Sequence, residues 1–259
     1  MTNDISRRAL LRGVGAVGIG AGALALFPSM ALAAPLTQVL LFASTAGSRH
    51  GSVPVGVASI HQLADPNGHV GADTCAPRNT AHYEAVVWRS TPTRRIPFGS
   101  YVNSGGSYVG VHDAAGTWDW YGSCVGGYFA ARPTQQQATL VVEDRMTDST
   151  ARLPATWDHL DEWREFRGPP SAVRVLVRVA EPSRDGGTPG ADRPVEWWHG
   201  AGAGRAWYTG LGHTTESHSD AVFIRMVMDG IRVAVRAVPA GSGEVERVRE
   251  RPVADLEGR

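Results

Sequence analysis

The 259-residue sequence contains no lysine, so all 25 of its basic side chains are arginine. Schiff-base chemistry and a Walker-type phosphate loop both need a lysine amine, and the sequence therefore excludes both. The arginines are balanced by 25 acidic side chains, which gives a formal net charge of zero. A nucleic-acid-binding domain usually carries a basic patch or stripe, so this composition predicts no nucleic-acid partner.

Cysteine is almost absent as well, and occurs only as Cys75 and Cys124. Cys124 has no recognisable base beside it in the sequence that would activate it as a nucleophile. An oxidising compartment would permit a disulfide, but a bridge requires a geometry that two sequence positions do not define. A bridge and two separate thiols therefore remain alternatives.

Long apolar runs are confined to the amino terminus. Arg7 and Arg8 precede a Gly- and Ala-rich stretch at residues 13–27, and Ala31 to Ala33 follow as a small-x-small cleavage site. This arrangement is typical of a twin-arginine export signal. The stretch is shorter than the roughly 20 apolar residues of a transmembrane helix. We predict that residues 1–33 are a signal peptide and that the mature protein is periplasmic or extracellular, without a stable membrane anchor.

The rest of the chain alternates short apolar runs with segments of helical spacing. Short, fully apolar runs are typical of parallel strands that are covered on both faces. Together they predict one α/β domain over residues 34–239, a three-layer fold with a mainly parallel sheet flanked by helices. The predicted strands lie at residues 38–42, 85–88, 107–111, 139–142, 173–179, 195–198 and 206–209, the first three adjacent at the centre of the sheet, and the clearest helices lie at residues 53–63 and 220–238.

Two segments give no clear periodicity. Residues 145–190 are rich in Pro, Asp, Arg and Gly, which predicts long loops over the sheet. Residues 240–259 are highly charged and contain little apolar content, so we expect a disordered tail there.

Polar side chains follow several predicted strands directly. Arg49 and His50 follow the first strand, His112 follows the third, and His213 follows the last through a Gly-Leu-Gly turn. In open α/β sheets, ligands bind outside the carboxyl ends of the strands. The sequence therefore predicts a site at this edge, with His112 exposed at the apex of a tight turn.

Two carboxyl groups complete this candidate site. Asp161 and Glu162 lie in the segment that we expect to fold over the same edge, and we count both, with His112 and His213, as candidate catalytic residues. Each also has a purely structural interpretation. His213 could simply bend its turn, and either carboxylate could form an ion pair with Arg164 or Arg167.

Aromatic side chains suggest the ligand. Trp118, Trp120 and Trp163 are predicted to lie in loops beside these motifs, and flat aromatic faces suit the C–H faces of sugar rings. We expect them to bind a small carbohydrate together with Arg49 and His50. The strand residues Trp197 and Trp207 are instead expected in the core.

Five segments together resemble a known family. They are FASTAGSRHGSVP (42–54), SGGSYVGVHDAAGT (104–117), VEDR (142–145), LPATWDHLDEWREF (153–166) and GRAWYTGLGHTTES (204–217). Over residues 38–238 the chain resembles the trehalose-utilisation, or ThuA-like, family. The resemblance implies a class I glutamine amidotransferase-like (flavodoxin-like) fold in which His112 stands at the position of the amidotransferase cysteine, and it argues against amidotransferase activity.

The resemblance also implies a role in the catabolism of trehalose, sucrose and related disaccharides, often as 3-keto derivatives. An enzyme would remove the acidic C2 proton of the keto sugar and then cleave the glycosidic bond or isomerise the sugar. His112 or Glu162 would be the base, His213 would protonate the leaving oxygen, and Arg49 with His50 would stabilise the enolate.

The chain departs from the family pattern in four places. Arg132 replaces the histidine of a Gly-His-Pro segment, and Thr147 and Asp148 replace a His-Pro pair. Arg164 follows Asp-Glu-Trp where tyrosine is commoner, and Asp113 follows His112 where alanine is usual. A non-catalytic carbohydrate-binding protein on the same fold is therefore the alternative. No cofactor is certain; a divalent metal ion is a further option, although no His-x-x-x-His or Cys-x-x-Cys pair supports it.

Overall fold

The computed structural model describes residues 36–42, 51–64, 68–73, 83, 85–88, 98–114, 119–131, 134–168, 170–183 and 193–235. The predicted signal peptide and carboxyl-terminal tail lie outside these residues, and so do Arg49, His50, Cys75 and Trp118. Within the described ranges, no helix has the length and apolar character needed to cross a membrane.

The described residues form eleven strands and five α-helices. The strands are β1 Leu36–Phe42, β2 Gly68–Asp73, β3 Ala85–Trp88, β4 Ser107–Val111, β5 Phe129–Ala131, β6 Gln136–Val142, β7 Thr156–Asp161, β8 Glu165–Phe166, β9 Arg174–Val179, β10 Pro194–Ala201 and β11 Gly204–Thr209. The helices are α1 Ser52–Ala64, α2 Phe98–Asn103, α3 Asp119–Val125, α4 Asp148–Ala151 and α5 Ala221–Ala234.

Nine of the strands form one mixed sheet in the order β2-β1-β3-β4-β11-β10-β9-β6-β7, and β5 pairs with β8 separately. The first five strands are parallel, and each later pair is antiparallel. Seven of the nine strands therefore point the same way. The predicted, mainly parallel sheet is confirmed, with β1, β3 and β4 adjacent as expected.

Side chains of the central strands alternate between two apolar cores, one on each face of the sheet. In β1, Val39 and Leu41 belong to the core that contains residues of α1 and α5, whereas Leu40 belongs to the core that contains residues of α2 and α3. Trp197 and Trp207 are fully buried, as predicted. Because both faces are covered, β3 (AVVW) is apolar throughout and buried strands such as β4 are mainly apolar.

The prediction of long loops over residues 145–190 was wrong in part, because β7 and β8 lie in this range in addition to the expected β9. β7 is at the edge of the sheet and pairs only with β6 among the described strands. Its sequence, TWDHLD, alternates exposed and partly buried side chains and ends in the buried Asp161. A half-exposed edge strand of this kind lacks the apolar run that identified the central strands.

Candidate functional site

The candidate site begins at a strained turn after β4. His112 follows Val111 with φ of +53°, in the left-handed region that residues other than glycine rarely adopt. Its main-chain N–H donates to the carbonyl of Thr209 (2.8 Å), and its own carbonyl accepts a hydrogen bond from the hydroxyl of Tyr208 (2.8 Å). β11 therefore holds both polar groups of the strained residue in place.

Two further tyrosines hold the next part of the same turn. The hydroxyl groups of Tyr108 and Tyr121 both donate to the carbonyl of Ala114, and they lie 2.9 Å from each other. Burial raises the pKa of both phenols well above its ordinary value, so both remain donors. Gly110 makes room for this arrangement, since a Cβ there would lie 2.7 Å from Tyr108 Oη and from a ring carbon of Tyr208.

The ring of His112 has a defined orientation. Its Nδ1 lies 3.1 Å from the carbonyl of Gly210, and because a carbonyl can only accept, Nδ1 carries the proton. The Nε2 lone pair of the neutral ring is therefore directed away from β11 towards the other polar groups. The side chain is not exposed as predicted, because only 1% of His112 is accessible to solvent. Its neighbours are nonetheless polar, as a chemical role requires.

Glu162 and His213 are the residues that the structure brings to His112. Nε2 of His112 lies 3.2 Å from Nδ1 of His213 and 3.5 Å from Oε2 of Glu162, and the last two atoms are 3.7 Å apart. Side-chain exposure rises from 2% for His112 to 13% for Glu162 and 25% for His213. The three groups, which we call the His112 centre, therefore lie just below the surface with His213 outermost.

Asp161 supports this centre from behind. It is fully buried, and its carboxylate accepts hydrogen bonds from the main-chain N–H groups of Glu162 (2.8 Å), Gly212 (2.8 Å) and His213 (3.1 Å). His159 Nε2 lies 3.3 Å from the same carboxylate. With its oxygens engaged in this way, Asp161 positions Glu162 and His213, and its sequence assignment as a catalytic group stays a prediction.

The turn that carries His213 depends on a glycine. Gly212 has φ of +108°, and a Cβ there would meet Phe223 at 3.0 Å and His218 at 3.3 Å. The N–H groups of Gly212 and His213 can both face Asp161 because the chain takes this conformation. The second glycine of the Gly-Leu-Gly sequence is thus required by the positive φ and the close packing at this turn.

Arg164 is the residue that sequence analysis did not include in the site. Its Nη2 donates to Oδ1 of Asp113 (2.8 Å) and to Nε2 of His112 (3.0 Å), and it lies 3.4 Å from Oε2 of Glu162. The guanidinium carbon stacks 5.1 Å from the centre of the Phe129 ring. The structural interpretation that paired Glu162 with Arg164 had identified one of these contacts.

The His112 centre has the composition of a metal site. The ligand atoms of His112, Glu162 and His213 all lie within 4.8 Å of one another. With Arg164 in place, however, the Nε2 lone pair of His112 already accepts a hydrogen bond and cannot coordinate a metal. Two unit charges about 4 Å apart interact by about 4 kcal/mol at an effective dielectric constant of 20, and a divalent ion doubles that repulsion. These residues therefore do not fit a divalent ion in this arrangement.

Trp120 and Trp163, the two described tryptophans of the predicted aromatic wall, do not line this centre. Trp163 lies in the loop between β7 and β8, as expected, but it is 3% exposed and its indole N–H donates to the carbonyl of Gln136 (2.9 Å), so its ring packs in the core. Trp120 lines a different cavity of about 330 Å³, together with Tyr128 and His199. That cavity also contacts Gly202, at the opposite end of β11 from His112.

A family match and two similar solved structures place the chain among known proteins. The family described as trehalose utilisation (ThuA) matches residues 38–234. A ThuA-like protein from Bacteroides uniformis ATCC 8492 has a similar structure, with a TM-score of 0.69 and 18% identity over 85% of this chain and 98% of that one. A ThuA-like protein from Parabacteroides merdae ATCC 43184 gives a TM-score of 0.63 and 19% identity over 83% and 92%. Comparison with curated proteins finds no match. The similarities confirm the predicted class I glutamine amidotransferase-like fold.

Proposed function

Because this chain belongs to the ThuA trehalose-utilisation family, which supports a carbohydrate-related role, we propose that it acts on 3-keto disaccharides by proton abstraction. The observation that carries this proposal is Oε2 of Glu162. This buried carboxylate oxygen accepts no hydrogen bond from any described residue. It lies between the two imidazoles of the His112 centre, where a substrate proton would give it a partner.

The proposed reaction needs a base and an acid. Glu162 takes the C2 proton of the 3-keto sugar, and the resulting enolate expels the C1 oxygen, so that the C1–O bond breaks and a double bond forms between C1 and C2. Water then adds its hydroxyl group to C1 while C2 regains a proton, so the net change is hydrolysis. The first step also begins an isomerisation, which needs no water.

The two histidines suit different roles, His213 as the acid and His112 only poorly as the base. His213 is the most exposed member of the centre and is proposed to protonate the leaving oxygen. His112 is less suitable as the base than Glu162, because its Nε2 lone pair accepts the hydrogen bond from Arg164. Arg49 and His50 remain proposed ligands of the enolate oxygen, and Trp118 of the sugar ring.

The proposal is tested by incubating the purified protein with 3-ketotrehalose, 3-ketosucrose and the two parent disaccharides. We expect monosaccharide release from the keto sugars only, since only a ketone acidifies the C2 proton. Release from the parent sugars at equal rates would contradict proton abstraction.

A non-catalytic carbohydrate-binding protein is the second candidate. It is favoured by the burial of His112, whose lone pair is engaged by Arg164. In that case calorimetry would detect binding of a disaccharide without release of monosaccharide, and the Glu162→Gln variant would bind with similar affinity.

We also propose export by the twin-arginine route, on the basis of Arg7, Arg8 and the cleavage site at Ala33. Conservative replacement of the pair, Arg7→Lys with Arg8→Lys, is expected to retain the protein in the cytoplasm with its leader attached. Fractionation and amino-terminal sequencing would show this. Unchanged export of the double variant would contradict the proposal.

A further inference from the structure

Arg164 has a side chain that is 1% exposed, and its Nη2 meets His112, Glu162 and Asp113 at once. We infer that Arg164 is the resident cation of the His112 centre, standing in for a divalent metal ion, so that the chemistry of the centre is independent of metal. The part of this inference that concerns turnover rests on the proposed function. The part that concerns metal binding does not.

The guanidinium is held firmly in this position. Asp113 lies on the same turn as His112 and accepts a charge-assisted hydrogen bond of 2.8 Å from Nη2. The ring of Phe129 stacks on the guanidinium from one side. The planar guanidinium presents its positive charge on a rigid fork of donors, which suits it to contact several acceptors at once.

A metal ion and Arg164 would compete for the same groups. The ion would need the lone pairs of His112 and His213 and an oxygen of Glu162. Arg164 already donates to the lone pair of His112 and faces the oxygen of Glu162 at 3.4 Å. Removing the guanidinium would leave two imidazoles and a carboxylate whose ligand atoms lie within 4.8 Å of one another, with no cation from the described residues among them, and this is a set of ligands that suits Mn²⁺ or Zn²⁺.

A fixed positive charge beside the base has a direct use in the proposed reaction. When Glu162 removes the C2 proton, negative charge develops on the C3 oxygen of the sugar, and a preorganised cation nearby lowers the energy of that state. Nε and Nη1 of Arg164 are buried and have no hydrogen-bond acceptor among the described residues. Such donors are costly to leave unpaired, and an oxygen of the ligand would satisfy one of them.

The test is a Mn²⁺ titration followed by the electron paramagnetic resonance of free Mn²⁺. Three proteins are compared: the wild type, Arg164→Met, and a double variant that combines Arg164→Met with Asp113→Asn. The double variant avoids leaving the Asp113 carboxylate buried without its cation, in case the single variant fails to fold. Near-ultraviolet circular dichroism reports whether each variant has retained its packing.

We expect no stoichiometric binding by the wild type at ~1 mM Mn²⁺. This concentration is far above the Kd of a built transition-metal site. The double variant should bind one equivalent at least about 100-fold more tightly, and His213→Ala in that background should abolish the binding. Stoichiometric binding by the wild type would overturn the inference. So would a folded double variant that still binds no metal, since Arg164 would then not be what keeps the ion out.

Turnover gives a second, separate readout. Chelation with EDTA is expected to leave keto-sugar cleavage by the wild type unchanged, whereas loss of activity that Mn²⁺ restores would contradict the inference. If the protein cleaves no keto sugar at all, the proposed function fails. The Mn²⁺ titration still decides whether Arg164 occupies the cation position.

Discussion

The carboxylate of Asp161 accepts a hydrogen bond from the main-chain N–H of His213 at 3.1 Å, although the two residues are far apart in the chain. This contact joins the end of β7 to the turn after β11. Glu162, the next residue after Asp161, is thereby set at a fixed distance from the His213 ring. The geometry of the His112 centre therefore depends on a fully buried residue that is not a member of the centre.

Asp161→Asn should lower both stability and turnover. The amide offers one acceptor where the carboxylate offered two, so at least one buried main-chain N–H loses its partner, at a cost of about 1–3 kcal/mol. Urea unfolding measures the free-energy change, and steady-state kinetics measures the turnover. The matched control is Asp158→Asn, because Asp158 is an exposed residue of the same strand that accepts from Thr139. Equal effects of the two substitutions would contradict the positioning role.

Tyr208→Phe should loosen the strained turn at His112. The substitution removes the hydroxyl that donates to the His112 carbonyl, and an error of about 1 Å in a catalytic group can lower a rate by about 100-fold. We expect kcat to fall much more than the thermal midpoint. Tyr128→Phe is the control, since its hydroxyl donates to Asp119 on the surface. An unchanged kcat for Tyr208→Phe would show that β11 does not position His112.

Ionisation of Glu196 should lower the free energy of unfolding as pH rises. Glu196 is fully buried in β10 beside Ser149, and burial raises its pKa from 4.5 to about 8. Between these two values the unfolded chain has released the proton and the folded chain has kept it, so the free energy of unfolding falls as pH increases. Complete loss of this contribution amounts to at most about 5 kcal/mol, at 1.36 kcal/mol per pKa unit.

Comparison with Glu196→Gln isolates this contribution. The pKa of Asp144 is lowered and that of Asp229 is raised, but both residues are present in both proteins, so their effects cancel in the difference. Unfolding by urea is measured at pH 5, 6, 7 and 8. The stability of Glu196→Gln relative to the wild type is expected to increase steadily across this range. A difference that is independent of pH would mean that Glu196 is ionised in the folded protein at neutral pH.

The sequence predicted the centre of the sheet well for a physical reason. β3 and the part of β4 after Ser107 are short and apolar because α-helices cover both faces of the sheet, and that pattern can be read locally. β7 was missed because an edge strand half exposed to solvent needs only alternate apolar side chains. α3 was missed because it is short and contains Gly122. Glycine is needed at this position, since a Cβ there would lie against the ring of Tyr128.

The site was harder to predict than the fold. His112 and His213 could be found because each follows a predicted strand that ends at the same edge of the sheet, and Glu162 because its segment was expected to fold over that edge. The burial of His112 and the position of Arg164 arise from contacts between distant segments, which no local pattern reveals. Trp163 was placed wrongly because a tryptophan in a polar segment gives no indication of whether its ring faces a ligand or the core.

The central claim is that Glu162 removes the C2 proton of a 3-keto sugar at the His112 centre. The most direct measurement is deuterium incorporation at C2 of 3-ketotrehalose in D₂O, followed by proton NMR, for the wild type, Glu162→Gln and the control Glu165→Gln, whose side chain pairs with Arg193 instead. General-base catalysis is worth about 10²–10⁴-fold, so Glu162→Gln should reduce the exchange rate by that factor while Glu165→Gln leaves it unchanged. Exchange by Glu162→Gln at the wild-type rate, or no exchange above the uncatalysed rate in the wild type, would contradict the account.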